Sequence, residues 1–272
     1  MTEPVHSMSD QSTLDRAAVD RGVAARLREL TPARVGLVRT GVSQQTRDLL
    51  EFQRCHAQAR DAVHATMQLS ALAAAIRAVS GSDVICLHSA AKDRASYLQR
   101  PDLGRRLDEP SRAILSNFNR RPFELAFVVT DGLSALAVER HSAQLVAVLL
   151  PLISNSASGE WKFAPICIVE QGRVAIGDEI GSALGAEIVL VLIGERPGLS
   201  SPDSLGAYIT WHPRVGRTDA ERNCISNIRL EGLSYAEAAR QIALCLSEAR
   251  RRELTGVALK IESAAQTRLQ SA

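Results

Sequence analysis

The apolar positions change rhythm near residue 123, and the fold prediction rests on that change. From Phe123 an apolar run, Leu125 to Val129, ends in Thr130-Asp131-Gly132-Leu133-Ser134. A helical pattern follows, predicted to run to about Leu150 and to be broken by Pro151. The same phrase recurs: Ala164 to Val169 predicts a strand, Gly172-Arg173-Val174 its exit, and Ile176 to Leu184 a helix closed by Gly185. Ile188 to Ile193 predicts a further strand, leaving through Gly194-Glu195-Arg196-Pro197-Gly198. Strands alternating with helices at this spacing predict an α/β fold with a doubly wound, mostly parallel sheet and right-handed crossovers. The last helix opens on Ser234-Tyr235-Ala236-Glu237, a capping box. It sets Tyr235, Ala238, Ala239, Ile242, Cys245, Leu246 and Ala249 on one face, so Cys245 reads as core.

The stretch before residue 123 reads as mixed and mostly helical. Met1 to about Gln11 is polar and aperiodic, as chain ends usually are. A helix predicted from Ser12 carries the thin stripe Leu14, Ala17, Val23, Leu27 and Leu30, broken by Gly22 and ended by Pro32. Between Gln45 and Leu72 the spacing of Leu49, Phe52, Ala59, Ala62, Val63 and Met67 suits helices, and Asp83 to Leu87 suits a short strand. His88 to Pro110 is polar and reads as a loop, stiffened by Pro101 and turned at Gly104. The resulting division is a flexible segment with a helix (1–32), a mixed portion (33–120), a doubly wound domain (121–254) and a tail (255–272).

Composition narrows the functions available. With 272 residues, 46% of them hydrophobic, the chain can bury one α/β core plus an appendage. A net charge of +2 creates no single-sign field to recruit nucleic acid or a membrane surface. The apolar stretches 145–153 and 188–193 fall short of the roughly 20 residues a membrane span needs, and the start lacks a signal-peptide pattern. The five cysteines contain no C-x-x-C pair, which disfavours a disulfide framework or a zinc site and favours a reducing cytoplasm.

Several self-sufficient chemistries lack their motifs. The G-x-S-x-G pattern fails at Leu136, and Gly177, Gly181 and Gly185 fall within a predicted helix and its cap, where no dinucleotide turn can form. No P-loop is present, and the six histidines show no metal-ligand spacing. A hydrolase, NAD enzyme or metalloenzyme complete in itself is not written in the chain.

Thr130-Asp131-Gly132-Leu133-Ser134, Gln171-Gly172-Arg173-Val174 and Gly194-Glu195-Arg196-Pro197-Gly198-Leu199 would exit at the carboxyl edge of one sheet, where open α/β folds bind ligands. Together with the segments Tyr97 to Arg106 and Arg222 to Ile228, in this order and near-family spacing, they resemble the small subunit of adenosylcobalamin-dependent ethanolamine ammonia-lyase. The resemblance covers roughly Ala33 to Leu254, including Ala33 to Gly41 and His56 to Val63. It implies a Rossmann-like subunit packed on a large TIM-barrel subunit, with adenosylcobalamin held between them and ethanolamine converted to acetaldehyde and ammonia. Longer family members carry an N-terminal extension sometimes linked to packaging in a bacterial microcompartment; this chain has little room for one.

Carried over by motif, the cobalamin contacts are Val174, Glu195 and Cys224. The corrin is a broad apolar disc fringed by neutral amides, so its binder should offer flat packing surface and hydrogen bonds. Read alone, Val174 is a loop valine, Glu195 one half of a surface ion pair with Arg196, and Cys224 a buried hydrophobe. Asp131 reads as a helix cap, with a ligand contact as the alternative. Arg105 and Arg106 read equally as a solvated loop face or as an interface with the large subunit. The D-x-H-x-x-G signature of base-off cobalamin proteins is absent, so the cofactor's benzimidazole is expected to stay on cobalt, packed against this subunit. The resemblance also implies no acid, base or nucleophile in this chain. The competing readings are a stand-alone enzyme using Asp131 or Glu195 as base, and a structural adaptor that never meets cofactor.

Overall fold

The structure is a computed structural model that describes residues 22–31, 33–118, 122–154 and 161–260. The polar start, the first part of the helix expected from Ser12 and the end of the tail lie outside the described residues. Two compact units form, one from residues up to 59 with 198–200, the other from 60–197 and 201 onward.

In the first unit a helix, α1, covers 22–30, consistent with the stripe of Val23, Leu27 and Leu30. All three remain exposed. Gly36, at φ +59°, lies so close to α1 that a Cβ there would meet that of Ala24 at 2.4 Å. A two-residue hairpin follows, β1 (Arg39–Thr40) and β2 (Ser43–Gln44), turned at Gly41. Helix α2 (Thr46–His64) comes next, its residues from Arg60 onward belonging to the second unit.

The second unit is built on a six-stranded sheet with order β3-β5-β4-β6-β7-β8. Strands β3 (Val84–His88), β5 (Ile166–Glu170), β4 (Phe123–Thr130) and β6 (Ala186–Gly194) run parallel. Strands β7 (Leu205–Trp211) and β8 (Arg222–Ile228) continue the sheet antiparallel. The apolar run of β4 alternates between two cores. Leu125, Phe127 and Val129 pack with Leu72 and Ile76 of α3 (Leu69–Ser80), Leu145 and Leu149 of α6 (Ala135–Ser154), and Ile242 and Leu246 of α8 (Tyr235–Arg252). Ala126 and Val128 pack with Leu115 of α5 (Glu109–Ser116) and with Ile176, Ile180 and Leu184 of α7 (Ile176–Leu184). Burial on both faces is why the central strands read as continuous apolar runs. Each fully buried aliphatic side chain contributes about 1.5–3 kcal/mol.

Helix α7 has its expected bounds, with Gly185 in the left-handed conformation as its C-cap. Helix α8 is capped by Ser234, whose side chain accepts from the Glu237 N–H, and it buries the predicted face from Ala238 to Ala249. Three expectations change. Helix α6 continues through Pro151 to Ser154, because a proline in the last turn forfeits one backbone bond while Ile153 of that turn is fully buried. The polar stretch 88–110 is not a plain loop: α4 (Arg94–Gln99) forms within it, where the Asp93 carboxylate accepts from the Ser96 N–H at 2.7 Å and Tyr97 is buried. Strands β7 and β8 had no counterpart in the predicted elements: β8 alternates buried and exposed positions irregularly, and β7 is a mostly buried run whose apolar residues are interrupted by Gly206, Tyr208 and Thr210. Helix α6 has the length and composition of a membrane span, but much of it, from Ala135 to Ile153, is buried in the core.

Candidate functional site

The exits of β4 and β6 are locked to each other through backbone. The Leu133 N–H donates to the Gly194 carbonyl at 2.9 Å. A Cβ on Gly132, at φ +55°, would lie 2.3 Å from that same oxygen, and one on Gly194 would lie 2.1 Å from the Ser134 carbonyl. Only glycine fits so close an approach. The β5 exit is tied in by Thr130, whose hydroxyl donates to the Val169 carbonyl at 2.8 Å and accepts from the Gly172 N–H at 3.1 Å.

Beneath these loops lies a buried polar network. Asp131, 1% exposed, forms an ion pair with Arg94 at 3.6 Å. Arg94 reaches over from α4, donating to the Gly132 carbonyl at 2.8 Å, to Gln171 Oε1 at 3.2 Å and to the Val63 carbonyl at 2.6 Å. Burial pushes the Asp131 carboxyl up to about 6, against the opposing pull of Arg94 and of the Gln171 and Gly172 N–H groups. Asp131 is thus neither a helix cap nor a cleft residue; its oxygens are turned toward Arg94 and the β5 exit, and the Ser134 hydroxyl accepts from the Ala137 N–H instead. Arg94 and Arg173 both lie over the Tyr97 ring, at 4.7 Å and 4.5 Å from its centroid.

Above this network an open cleft of about 460 Å³ sits at the carboxyl edge of the sheet. Val174 and Glu195, predicted from separate motifs, both line it, with Leu133 and Ile193 giving apolar wall and Tyr97, Arg173, Arg196 and Tyr208 completing it. Glu195 forms no ion pair with Arg196 among the described residues. Its Oε2 accepts from the Asn227 N–H at 3.1 Å, and its Oε1 would be 3.0 Å from a Cβ on Gly206. Asn227 takes a left-handed φ of 59° to offer that N–H. Cys224 does not line the cleft. It pairs with Tyr208 across β7 and β8, on the same face of the sheet. The thiol is exposed rather than a buried hydrophobe, and the Tyr208 hydroxyl is raised by burial and by its hydrogen bond to Cys224. Arg105 and Arg106 are exposed.

Sequence reasoning left Tyr97, Arg173 and Tyr208 unassigned. Tyr97 and Arg173 stand inside segments that carried the resemblance, whereas Tyr208 lies in a strand the pattern did not reveal. No cluster of histidine, cysteine and carboxylate side chains suited to a metal ion occurs among the described residues. A second hollow, of about 500 Å³, lies near the amino ends of β3, β4 and β5 and is lined by Ser82, Asp83, Phe118, Phe123 and Phe163.

Residues 22–260 match the family of ethanolamine ammonia-lyase light chains (EutC). The chain is 54% identical over 260 residues to the ethanolamine ammonia-lyase small subunit of Ralstonia nicotianae, covering 93% of each. It is 54% identical over 244 residues to that of Pseudomonas fluorescens, covering 89% of this chain and 88% of the relative. With that of Pseudomonas aeruginosa it shares 55% identity over 244 residues, 88% of each. The chain therefore belongs to the family of small, or light, subunits of ethanolamine ammonia-lyase, a lyase.

Proposed function

We propose that this subunit holds one edge of base-on adenosylcobalamin in the carboxyl-edge cleft, at an interface with a TIM-barrel large subunit. The assembled enzyme converts ethanolamine to acetaldehyde and ammonia by a radical route. The observation that carries the reading is the convergence of Val174 and Glu195, from the exits of two different strands, on one cleft, with Cys224 beside its Tyr208 wall. A Rossmann-like reading of the sheet accords with a ligand at this edge, outside the carboxyl ends of its parallel strands.

The cleft suits part of a corrinoid. Leu133, Val174 and Ile193 supply flat apolar packing, and Glu195 Oε1 is an acceptor for an amide N–H. Arg173 also lines the cleft and adds a guanidinium to it. A space of about 460 Å³ holds only part of a cobalamin, which is in keeping with another chain covering the rest. When bound, adenosylcobalamin supplies homolysis of its cobalt–carbon bond, which starts the radical chemistry. This chain's residues would bind and orient: Val174 would pack against the disc, Glu195 would hold an amide while tied to the β8 backbone, and Tyr208 would form a wall backed by Cys224 on the neighbouring strand. No residue here acts as acid, base or nucleophile. The stand-alone alternative loses one of its two candidate bases, because Asp131 is buried in an ion pair and does not line the cleft, whereas Glu195 does. All five cysteines are free, in keeping with a reducing cytoplasm.

The test is made on the complex with the large subunit. Glu195→Ala and Cys224→Trp are expected to weaken cofactor affinity about tenfold, the worth of one good hydrogen bond or packing contact, with turnover at saturating cofactor nearly unchanged. Unchanged affinity with reduced turnover would reject the reading.

A further inference from the structure

Two arginines stack on the Tyr97 ring, and they differ in what else they touch. Arg94 has its counter-charge in Asp131 and donates to three acceptors, leaving only its Nη2 unpartnered among the described residues. Arg173 is equally fixed but has no counter-charge. Its main-chain N–H donates to the Gly104 carbonyl at 2.7 Å and its Nη2 to the Tyr97 carbonyl at 3.1 Å. Among the described residues its enclosed Nε has no partner, and no carboxylate lies within ion-pair distance. Such a guanidinium is preorganised and uncompensated, and its planar fork suits an anion with two oxygens. Arg196, on the same cleft, is exposed and likewise without an acidic partner among the described residues. The carboxylate of this cleft, Glu195, already accepts from Asn227. The cleft therefore carries an excess of positive charge that its own residues do not use.

We infer that Arg173, assisted by Arg196, binds the phosphodiester of the cofactor's nucleotide loop. The inference rests on the cobalamin reading of this cleft. The peripheral amides of cobalamin are neutral, and the phosphodiester is its one anionic side group. With this subunit facing the nucleotide loop, as the cobalamin reading has it, Arg173 and Arg196 would be the cationic groups of the cleft available to hold that phosphate. Arg173 is accordingly a specificity-determining residue: it separates complete cobalamins from corrinoids that lack the nucleotide, while Val174 contacts the part common to both.

Equilibrium dialysis of the two-subunit complex, read by the visible spectrum, tests this with adenosylcobalamin and with adenosylcobinamide, which keeps the corrin amides but lacks phosphate and base. Arg173→Met is expected to weaken adenosylcobalamin about tenfold or more and adenosylcobinamide by less than about twofold, as a lost charge-assisted contact predicts. Arg173→Lys should recover part of the loss. Arg196→Gln changes an exposed side chain and should lower the preference for adenosylcobalamin by roughly twofold to threefold without affecting assembly. Equal weakening of both ligands by Arg173→Met, or no weakening of either, overturns the inference while leaving the cofactor site standing. If Arg173→Met does not assemble, an unchanged preference in Arg196→Gln overturns it. Wild-type complex that retains no more of either ligand than the large subunit alone overturns the cofactor site as well.

Discussion

Strands β4 to β6 and strand β8 belong to one sheet but are held by different forces. In β4, Leu125 to Thr130 are buried without interruption between two layers of helix. In β8, Cys224, Ser226 and Asn227 are exposed, and the strand is secured at a few polar points. Arg222 grips Asp178 of α7 through two bonds of 2.7 Å and 2.6 Å, with both side chains 1% exposed. Asn223 Oδ1 accepts from the Gly256 N–H at 2.8 Å, and Asn227 donates to Glu195. Strands β4 to β6 provide a floor whose glycine exits admit no side chain, whereas β8 provides an edge secured at individual polar contacts. The residues of the proposed cofactor site are drawn from both, so damage to either should alter the site in its own way.

The largest effect should follow from the edge's deepest anchor. Arg222→Met leaves Asp178 buried without its partner and is expected to cost about 3–5 kcal/mol, measured by denaturant unfolding. A cost below about 1 kcal/mol would show that the edge is held by burial like the rest of the sheet. Next comes the floor's buried acid. The folded value of Asp131 is raised, from 3.8 to about 6, so the native state holds that proton more tightly than the unfolded chain. The stability this gives is present below about pH 4 and is lost as pH rises to about 6, by at most about 3 kcal/mol. Asp131→Asn removes the titration. The stability of the natural chain relative to the variant should therefore fall across that window, and a flat difference would contradict the burial argument. Gly194→Ala, driving a Cβ into the Ser134 and Asp131 carbonyls, should cost about 1–3 kcal/mol and distort the cleft. The smallest change is expected from Glu195→Ala: about 0.5–1.5 kcal/mol in stability for one hydrogen bond, with its main consequence in cofactor affinity.

The same contrast explains what could be read from the sequence. Burial on both faces leaves an uninterrupted apolar run, so β4, β5, β6 and the glycine-closed helix α7 were legible from residue type alone. Strand β8 hides because Cys224, Ser226 and Asn227 answer to solvent and to polar partners rather than to a period. Helix α4 hides because six residues are too few to show periodicity, although its Asp93 cap was a local signal. Pro151 misled because a proline's cost depends on its distance from the helix end and on what the last turn buries. At the site, Val174 and Glu195 came from motif resemblance, and their meeting in one cleft follows from the topology of β5 and β6. Arg173 and Tyr97 were visible as letters within those motifs, but their stacking depends on α4 folding back toward the β5 exit. The buried role of Asp131 required Arg94, distant in sequence, to be found beside it.

The central claim is that the cofactor site is shared between this chain and a large partner. It is tested by mixing the two subunits with adenosylcobalamin and ethanolamine, following the visible spectrum and acetaldehyde formation, with each subunit alone as control. The account predicts product and cofactor retention through gel filtration only from the mixture. Turnover by this chain alone, or full retention of cofactor by the large subunit alone, would contradict it.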